Sequence, residues 1–285
     1  SADQGNFIAA RDLRLGFNEA PLDRVVLGAL GSSGSNATLI GRASGGTSPV
    51  IGLSNYYFDP AQPAFWLEEA SDIIKQGGTP DLVAAQTTTS YQVGSPDPAY
   101  EVSWGAWNGQ ATALNKQTDP LDPTVSTAVN SDLFWITFMP TAIDGGTGTP
   151  GGKTGQVVYD QTATNWVAGS TSTGAINNSS FYFSANVDFD TGNVTSGTMG
   201  FSDASNTNYW NASFTGTLNG AELQISSPLV YYNSDTVNPA AAEMKGMLTG
   251  PQAEGIAGSF DFDYMAGTAT AEGVFLSNCA GNTGC

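Results

Sequence analysis

The chain has no histidine in 285 residues. That absence removes the commonest general base, the usual triad base and the commonest transition-metal ligand. Cysteine is almost as scarce: Cys279 and Cys285 are the only two, close together near the C-terminal end. Two cysteines without histidine make a poor zinc site. In an otherwise cysteine-free chain they suggest a disulfide closing a small loop in an oxidising compartment, with a bridge to another molecule as the alternative.

Charge is sparse and one-sided. Only 12% of residues are charged, 8 Lys and Arg against 26 Asp and Glu, for a net charge of −18. Nucleic acid is excluded as a partner, because phosphates need many cationic side chains to release their counterions. An anionic membrane face is disfavoured on the same ground, whereas a basic protein partner would be steered in. All four arginines (Arg11, Arg14, Arg24 and Arg42) lie in the first 42 residues, so the N-terminal segment has the charge to dock on the acidic remainder, its own or a neighbour's. An ordinary solvated face gives the same pattern. There is no apolar run of 18 residues and hence no transmembrane helix. The chain starts at Ser1 without a signal peptide, as expected of a mature exported product.

What is present is glycine, serine, threonine and asparagine around short apolar patterns. Residues 1–98 are irregular, with a Gly/Ser-rich stretch over 31–46 that reads as loops and turns. Within them 63–76 (PAFWLEEASDIIKQ) has the marks of one short helix. Proline opens it, Glu68 and Glu69 come early, Lys75 comes late, two glycines follow, and Phe65, Trp66, Ile73 and Ile74 form the stripe.

From about residue 99 the period becomes two. In 181–189 (FYFSANVDF) Phe181, Phe183, Ala185, Val187 and Phe189 share one side, and polar residues the other. The stretch 208–218 repeats the pattern, and 257–264 sets Phe260, Phe262 and Tyr264 against Ser259, Asp261 and Asp263. Further strands are expected at 100–107, 132–139, 155–159, 194–202, 222–227, 243–249 and 268–276. Turn residues fall between them at 190–193 (DTGN) and 219–220 (NG). The expected fold class is mainly β: an antiparallel meander closing into a roughly eight-stranded barrel over 99–285.

The segment from Met244 to Phe262 and the strand from Ala271 to Leu276 carry Gly250, Pro251, Ala253, Glu254, Gly258, Phe260, Gly273 and Phe275. At these positions the chain resembles the end of the β-barrel domains of transferrin-binding protein B, where a GP-x-A-E-x-x-G-x-F turn and strand precede a last strand ending in G-x-F. The stretch 100–109 (YEVSWGAWNG) likewise resembles the strand that opens such barrels, also found at the C-terminus of FecR-domain and surface lipoproteins. The resemblance implies an eight-stranded, side-chain-filled barrel at a Gram-negative outer membrane, serving as scaffold while variable loops bind the partner. It does not carry transferrin or iron over to this chain.

Candidate sites are few. Asp188, Asp190 and Asn193 put three oxygen side chains around one turn, which suits calcium as a ligand and equally an Asx-type turn. Tyr56, Tyr57, Phe58 and Trp66 are aromatic candidates for binding a partner, or else pack the N-terminal region on the barrel. The carboxylate pairs Asp188/Asp190 and Asp261/Asp263 raise a glycoside hydrolase, but outward carboxylates on strands are ordinarily just solvated. The reading from sequence is a non-catalytic module, extracellular or on the bacterial cell surface. It would bind a protein or glycan, or else copies of itself as a subunit of a surface fibre or layer.

Overall fold

A computed structural model describes residues 24–30, 37–43, 58–59, 64–69, 72–76, 86–88, 102–107, 111–115, 126–128, 133–146, 148–160 and 165–279. The chain is mainly β and antiparallel, in two sheets.

The first sheet contains β1 (Arg24–Leu30), β2 (Ala37–Ala43), β3 (Phe58–Asp59), β4 (Ala64–Glu69), β5 (Asp72–Gln76), β6 (Gln86–Thr88), β7 (Val102–Trp107), β8 (Ala111–Asn115), β9 (Ser126–Ala128) and β10 (Leu133–Phe138). Its order is β6-β7-β10-β1-β2-β4-β5-β8-β9, with β3 paired to β4. The helix expected over 63–76 is therefore a correction: the segment is a β-hairpin, with Trp66 opposite Lys75 and Glu69 opposite Asp72. Its aromatic and β-branched residues suit strands. A fourteen-residue helix has little stability of its own, and β5 gains a full ladder with β8 instead. The sequence also placed the start of the barrel at residue 99, yet β7 to β10 ladder into the first sheet. The change of sheet comes after Phe138.

The second sheet contains β11 (Gln156–Tyr159), β12 (Trp166–Thr171), β13 (Gly174–Ala175), β14 (Tyr182–Asp188), β15 (Asn193–Ser202), β16 (Tyr209–Asn219), β17 (Glu222–Tyr232), β18 (Ala241–Thr249), β19 (Gly255–Tyr264) and β20 (Ala269–Asn278). Strands β14 to β20 form the expected meander, with β11 added beside β14 and β12 beside β20. Consecutive strands β11 and β12 thus lie at opposite ends of eight pairings. Laid flat, those pairings would span about 38 Å. The chain from Tyr159 to Trp166 reaches at most about 25 Å. The sheet must curl, and it does. Its far end meets β15 through the Ile176–Asp203 bridge and two hydrogen bonds, Asn177 N–H to Ser202 O and Ala204 N–H to Ala175 O, each 2.9 Å.

The lumen is the main core. Phe183, Phe201, Trp210, Phe214, Phe260, Phe262 and Phe275 fill it, with ring centroids such as Phe183–Phe275 4.9 Å and Phe201–Phe260 5.2 Å apart. Glycine lets these rings lie across the neighbouring strand. Gly258 is the register partner of Phe275, and a Cβ added to it would stand 2.3 Å from that ring.

A second core joins the two sheets. Val102, Phe134, Ile136 and Phe138 of the first pack on Ala168, Met247, Ala257, Val274 and Leu276 from the outer face of the second. Trp104 and Trp166 meet across it, tilted to one another with ring centroids 5.1 Å apart. At its edge Thr141 N–H donates to Leu248 O, and Thr249 Oγ1 to Met139 O. Ser259 and Asp261, expected on an exposed polar face, are consequently buried. The alternation was read correctly, but the first sheet covers that side.

Candidate functional site

The turn at 188–193 is held by its own carboxylates. Asp188 Oδ1 accepts from the backbone N–H of Asp190 at 2.9 Å and of Thr191 at 3.0 Å. The hydrogen bond from Thr191, with that from Asp190, keeps the Asp188 carboxyl below the usual carboxylate range. Asp190 Oδ1 accepts from Gly155 N–H at 2.9 Å, and Asn193 Nδ2 donates to Thr191 Oγ1 at 3.0 Å. These contacts have the form of an Asx-type turn, with Asp188 Oδ1 and Asp190 Oδ1 both accepting from the chain itself. Among the described residues no group of three His, Cys, Asp or Glu could hold a metal ion.

The other sequence candidates are dispersed. Tyr56, Tyr57 and Cys285 lie outside the described residues. Phe58 and Trp66 sit on β3 and β4 of the first sheet, opposite Phe65 and Lys75. Cys279 is half-buried against the lumen core, and no free cysteine occurs among the described residues. Asp263 Oδ1 accepts from Gly267 N–H at 2.5 Å within the β19–β20 turn, while Asp261 is buried on the outer face of β19.

A site the sequence reading missed lies at the barrel end where β12, β15, β17 and β19 finish. Three properties mark the surface built from the loops after these strands and the start of β16. First, their backbone is unusual: Asn206, Asn233, Ser234, Met265 and Ala266 all have positive φ, between 47° and 62°. Only glycine and asparagine take such values easily, so the surrounding structure must enforce them at Ser234, Met265 and Ala266. Second, they hold large apolar side chains in solvent. Val237 is 81% exposed, Met265 56% and Tyr209 48%. Third, they stand on a fixed aromatic base. Trp210 lies 4.8 Å from Tyr232, and Tyr232 5.1 Å from Tyr264.

Two aspartates lock this arrangement. Asp235 Oδ2 accepts from Tyr264 O–H at 2.5 Å and from Asn238 Nδ2 at 3.0 Å, while its Oδ1 accepts from Val237 and Asn238 N–H. These bonds, from Asn238 and Tyr264 above all, hold its carboxyl below the usual range, and the bond to Asp235 raises the Tyr264 hydroxyl. Asp203 is 1% exposed. It accepts from Thr173 Oγ1 at 2.8 Å, Ser205 Oγ at 2.7 Å, Asn208 Nδ2 at 2.6 Å and Thr207 N–H at 3.1 Å. Burial pushes its carboxyl up, but these bonds together outweigh burial and leave it well below the usual range.

The surface so built is apolar at its tips and acidic beneath. The stretches 172–180, 203–209, 233–240 and 264–268 contain no lysine or arginine. Its carboxylates are held ionised and occupied, the opposite of what a general acid needs. A lone apolar residue inside a polar loop, Val237 in DTVNP and Met265 in DYMAGT, is the signal that could have found it.

No family model matches the chain, and no curated protein matches it. Among solved structures it is similar to a transferrin-binding protein B mutant from Haemophilus parasuis Hp5 (TM-score 0.40, 11% identity), over 90% of this chain and 45% of that one. It is also similar to an intact transferrin-binding protein B with N and C lobes (TM-score 0.37, 14% identity, 90% and 46% covered). A third likeness is to the N-lobe domain of lactoferrin-binding protein B of Moraxella bovis (TM-score 0.34, 13% identity, 91% and 100% covered). The chain spans about half the length of the two transferrin-binding protein B structures.

Proposed function

We propose that this chain is a non-catalytic binding module on the bacterial cell surface, and that it holds a protein partner at the loop end of its barrel. The observation that carries the reading is the pairing of exposure with rigidity. Val237 and Met265 on the loops and Tyr209 at the start of β16 stand in solvent, on backbone fixed by Asp235, Asp203 and the Trp210–Tyr232–Tyr264 aromatic cluster. Apolar anchors held in place before binding lose little entropy on contact. A protein with an apolar patch and a neutral or basic rim fits; the acids beneath disfavour an anionic ligand. A Cys279–Cys285 bridge, if formed in an oxidising compartment, belongs to this reading.

The test compares capture by immobilised wild-type protein with capture by V237D combined with M265D, using surface-protein extracts of the native environment. The double variant is expected to lose a specific partner at least tenfold, while T217D on the exposed wall of β16 keeps it. Equal capture by all three overturns the reading.

A further inference from the structure

Directly opposed residues of an antiparallel sheet share a face, so the outer wall of β14 to β17 is organised in rows. One row is Tyr182, Gly200, Asn211 and Tyr231, and the next is Ser184, Thr198, Ser213 and Leu229. Tyr182 is 40% exposed and Leu229 41%; Thr198 and Ser213 are exposed, and Asn211, Tyr231 and Ser184 half-buried. Neither row contains a charged residue, in a chain of net charge −18.

Tyr182 is held down on this wall. Its ring lies across the neighbouring strand at Gly200, where an added Cβ would stand 2.4 Å from the ring, and its hydroxyl donates to Asn211 Oδ1 at 2.9 Å. The glycine makes room for the ring and the amide fixes its far end, so one aromatic face lies against the sheet while the ring stays open to solvent. The bond to Tyr182 also orients the Asn211 amide, whose Nδ2 has no acceptor among the described residues. The hydroxyls of Tyr231, Thr198 and Ser213 likewise have no partner among them.

This combination selects a ligand chemistry. An ionic ligand finds no countercharge on either row. An apolar protein patch would cover the Asn211 amide and the hydroxyls without pairing them, which costs about 1–3 kcal/mol for each group. A sugar offers a C–H face to the ring and uncharged hydroxyls to the amide and side-chain hydroxyls. We propose that this wall is a second binding site, for a neutral glycan, with Tyr182 as the platform and Asn211 as the group that orients the sugar on it. Tyr182 and Tyr231 are three strand spacings apart, about 14 Å, so the site takes a short run of sugars. It is separate from the loop end: Tyr209, the next outward residue of β16, turns its hydroxyl to Asn206 O in the loop at 2.6 Å.

The test is binding of the full chain to a printed array of neutral glycans, built from hexose, N-acetylhexosamine and fucose linkages, with sialylated and sulfated counterparts. Wild type is expected to retain neutral members and to reject the charged ones. Y182A and Y231A should each weaken that binding about tenfold or more. Y182F keeps the ring without the bond to Asn211 and falls between. N211D still accepts from Tyr182 but replaces the free donor with a charge. It should lose binding as fully as Y182A with its urea midpoint unchanged, which keeps the test readable even where loss of the ring disturbs the fold. V237D combined with M265D keeps glycan binding, so failure of the loop-end reading leaves this site standing. No glycan retained by wild type, equal retention of neutral and sialylated members, or unchanged binding by Y182A and N211D overturns the site. So does a concentration-dependent dimer in sedimentation that Y182A abolishes, because a second copy then covers this wall.

Discussion

Strands β14 to β17 and strands β18 to β20 line the same lumen, yet their outer faces differ. Along β14 burial alternates residue by residue; along β19 eight consecutive residues are buried, and along β20 seven, from Ala271 to Ser277. The cause is the first sheet, which among the described residues packs on the second half. Alternation therefore reports which faces of a strand meet solvent, and it disappears where both are covered. The uncovered half presents threonine and serine to water; the covered half uses Met247, Val274 and Leu276 as an adhesive surface.

The lumen is common to both halves, so the largest losses should be equal there. F275A in the covered half and F214A in the uncovered half should each cost about 3–5 kcal/mol in urea unfolding, from lost transfer energy and the cavity left behind. A small loss for one of them would mean that the halves do not share a core. The outer faces should then separate sharply. L276A is expected to cost about 2–5 kcal/mol. T198A, on the exposed side of β15, should stay within about 0.5 kcal/mol. Comparable values for the two would show that the first sheet does not cover β20 in solution. A smaller effect tests the ring-over-glycine packing. G258A should cost about 1–3 kcal/mol by overpacking, because its methyl group meets both the Phe275 ring and the carbonyl of Lys245. G267A, with open space around its Cβ, has only its φ of +89° against it.

The uncovered half was the more legible in sequence. The run 181–189 became β14 with each apolar residue facing the lumen. The Asn219-Gly220 signal became a tight hairpin, with Asn219 opposite Glu222 and Gly220 at φ 63°. The covered half was half legible: Phe260 and Phe262 were placed inward, but Asp261 was placed in water, because a local pattern cannot see a sheet more than a hundred residues away in sequence. The same blindness produced the helix at 63–76, whose helix-like ends carried less weight than pairing with β8. The loop end was invisible for another reason. Val237 and Met265 have no periodicity, and their significance comes from side chains that meet only in the fold, such as Tyr264 on Asp235.

The smallest expected effect concerns how the uncovered half is fastened. Among the described residues the first sheet packs on the other half, and the far end of this one is held by Asp203, which gathers Thr173 from the β12–β13 turn with Ser205, Thr207 and Asn208 from the β15–β16 loop. The Asp203 carboxyl lies below its ordinary value in the folded chain. Its contribution is therefore complete above the unfolded carboxylate value of about 3.9 and declines as pH falls from there through the folded value. Neutral pH should show no titration of this fastening. Hydrogen exchange should show the amides of Asn177 and Ala204, which close the barrel onto β15 and the 174–177 segment, losing protection as the wild type is acidified below about pH 4. In D203N the neutral amide cannot titrate, so protection at these amides should be weaker at neutral pH and nearly flat with acidification. The amides of β19 and β20, held under the first sheet, should exchange alike in both proteins. If acid loosens the covered strands first, the fastening has been assigned to the wrong half.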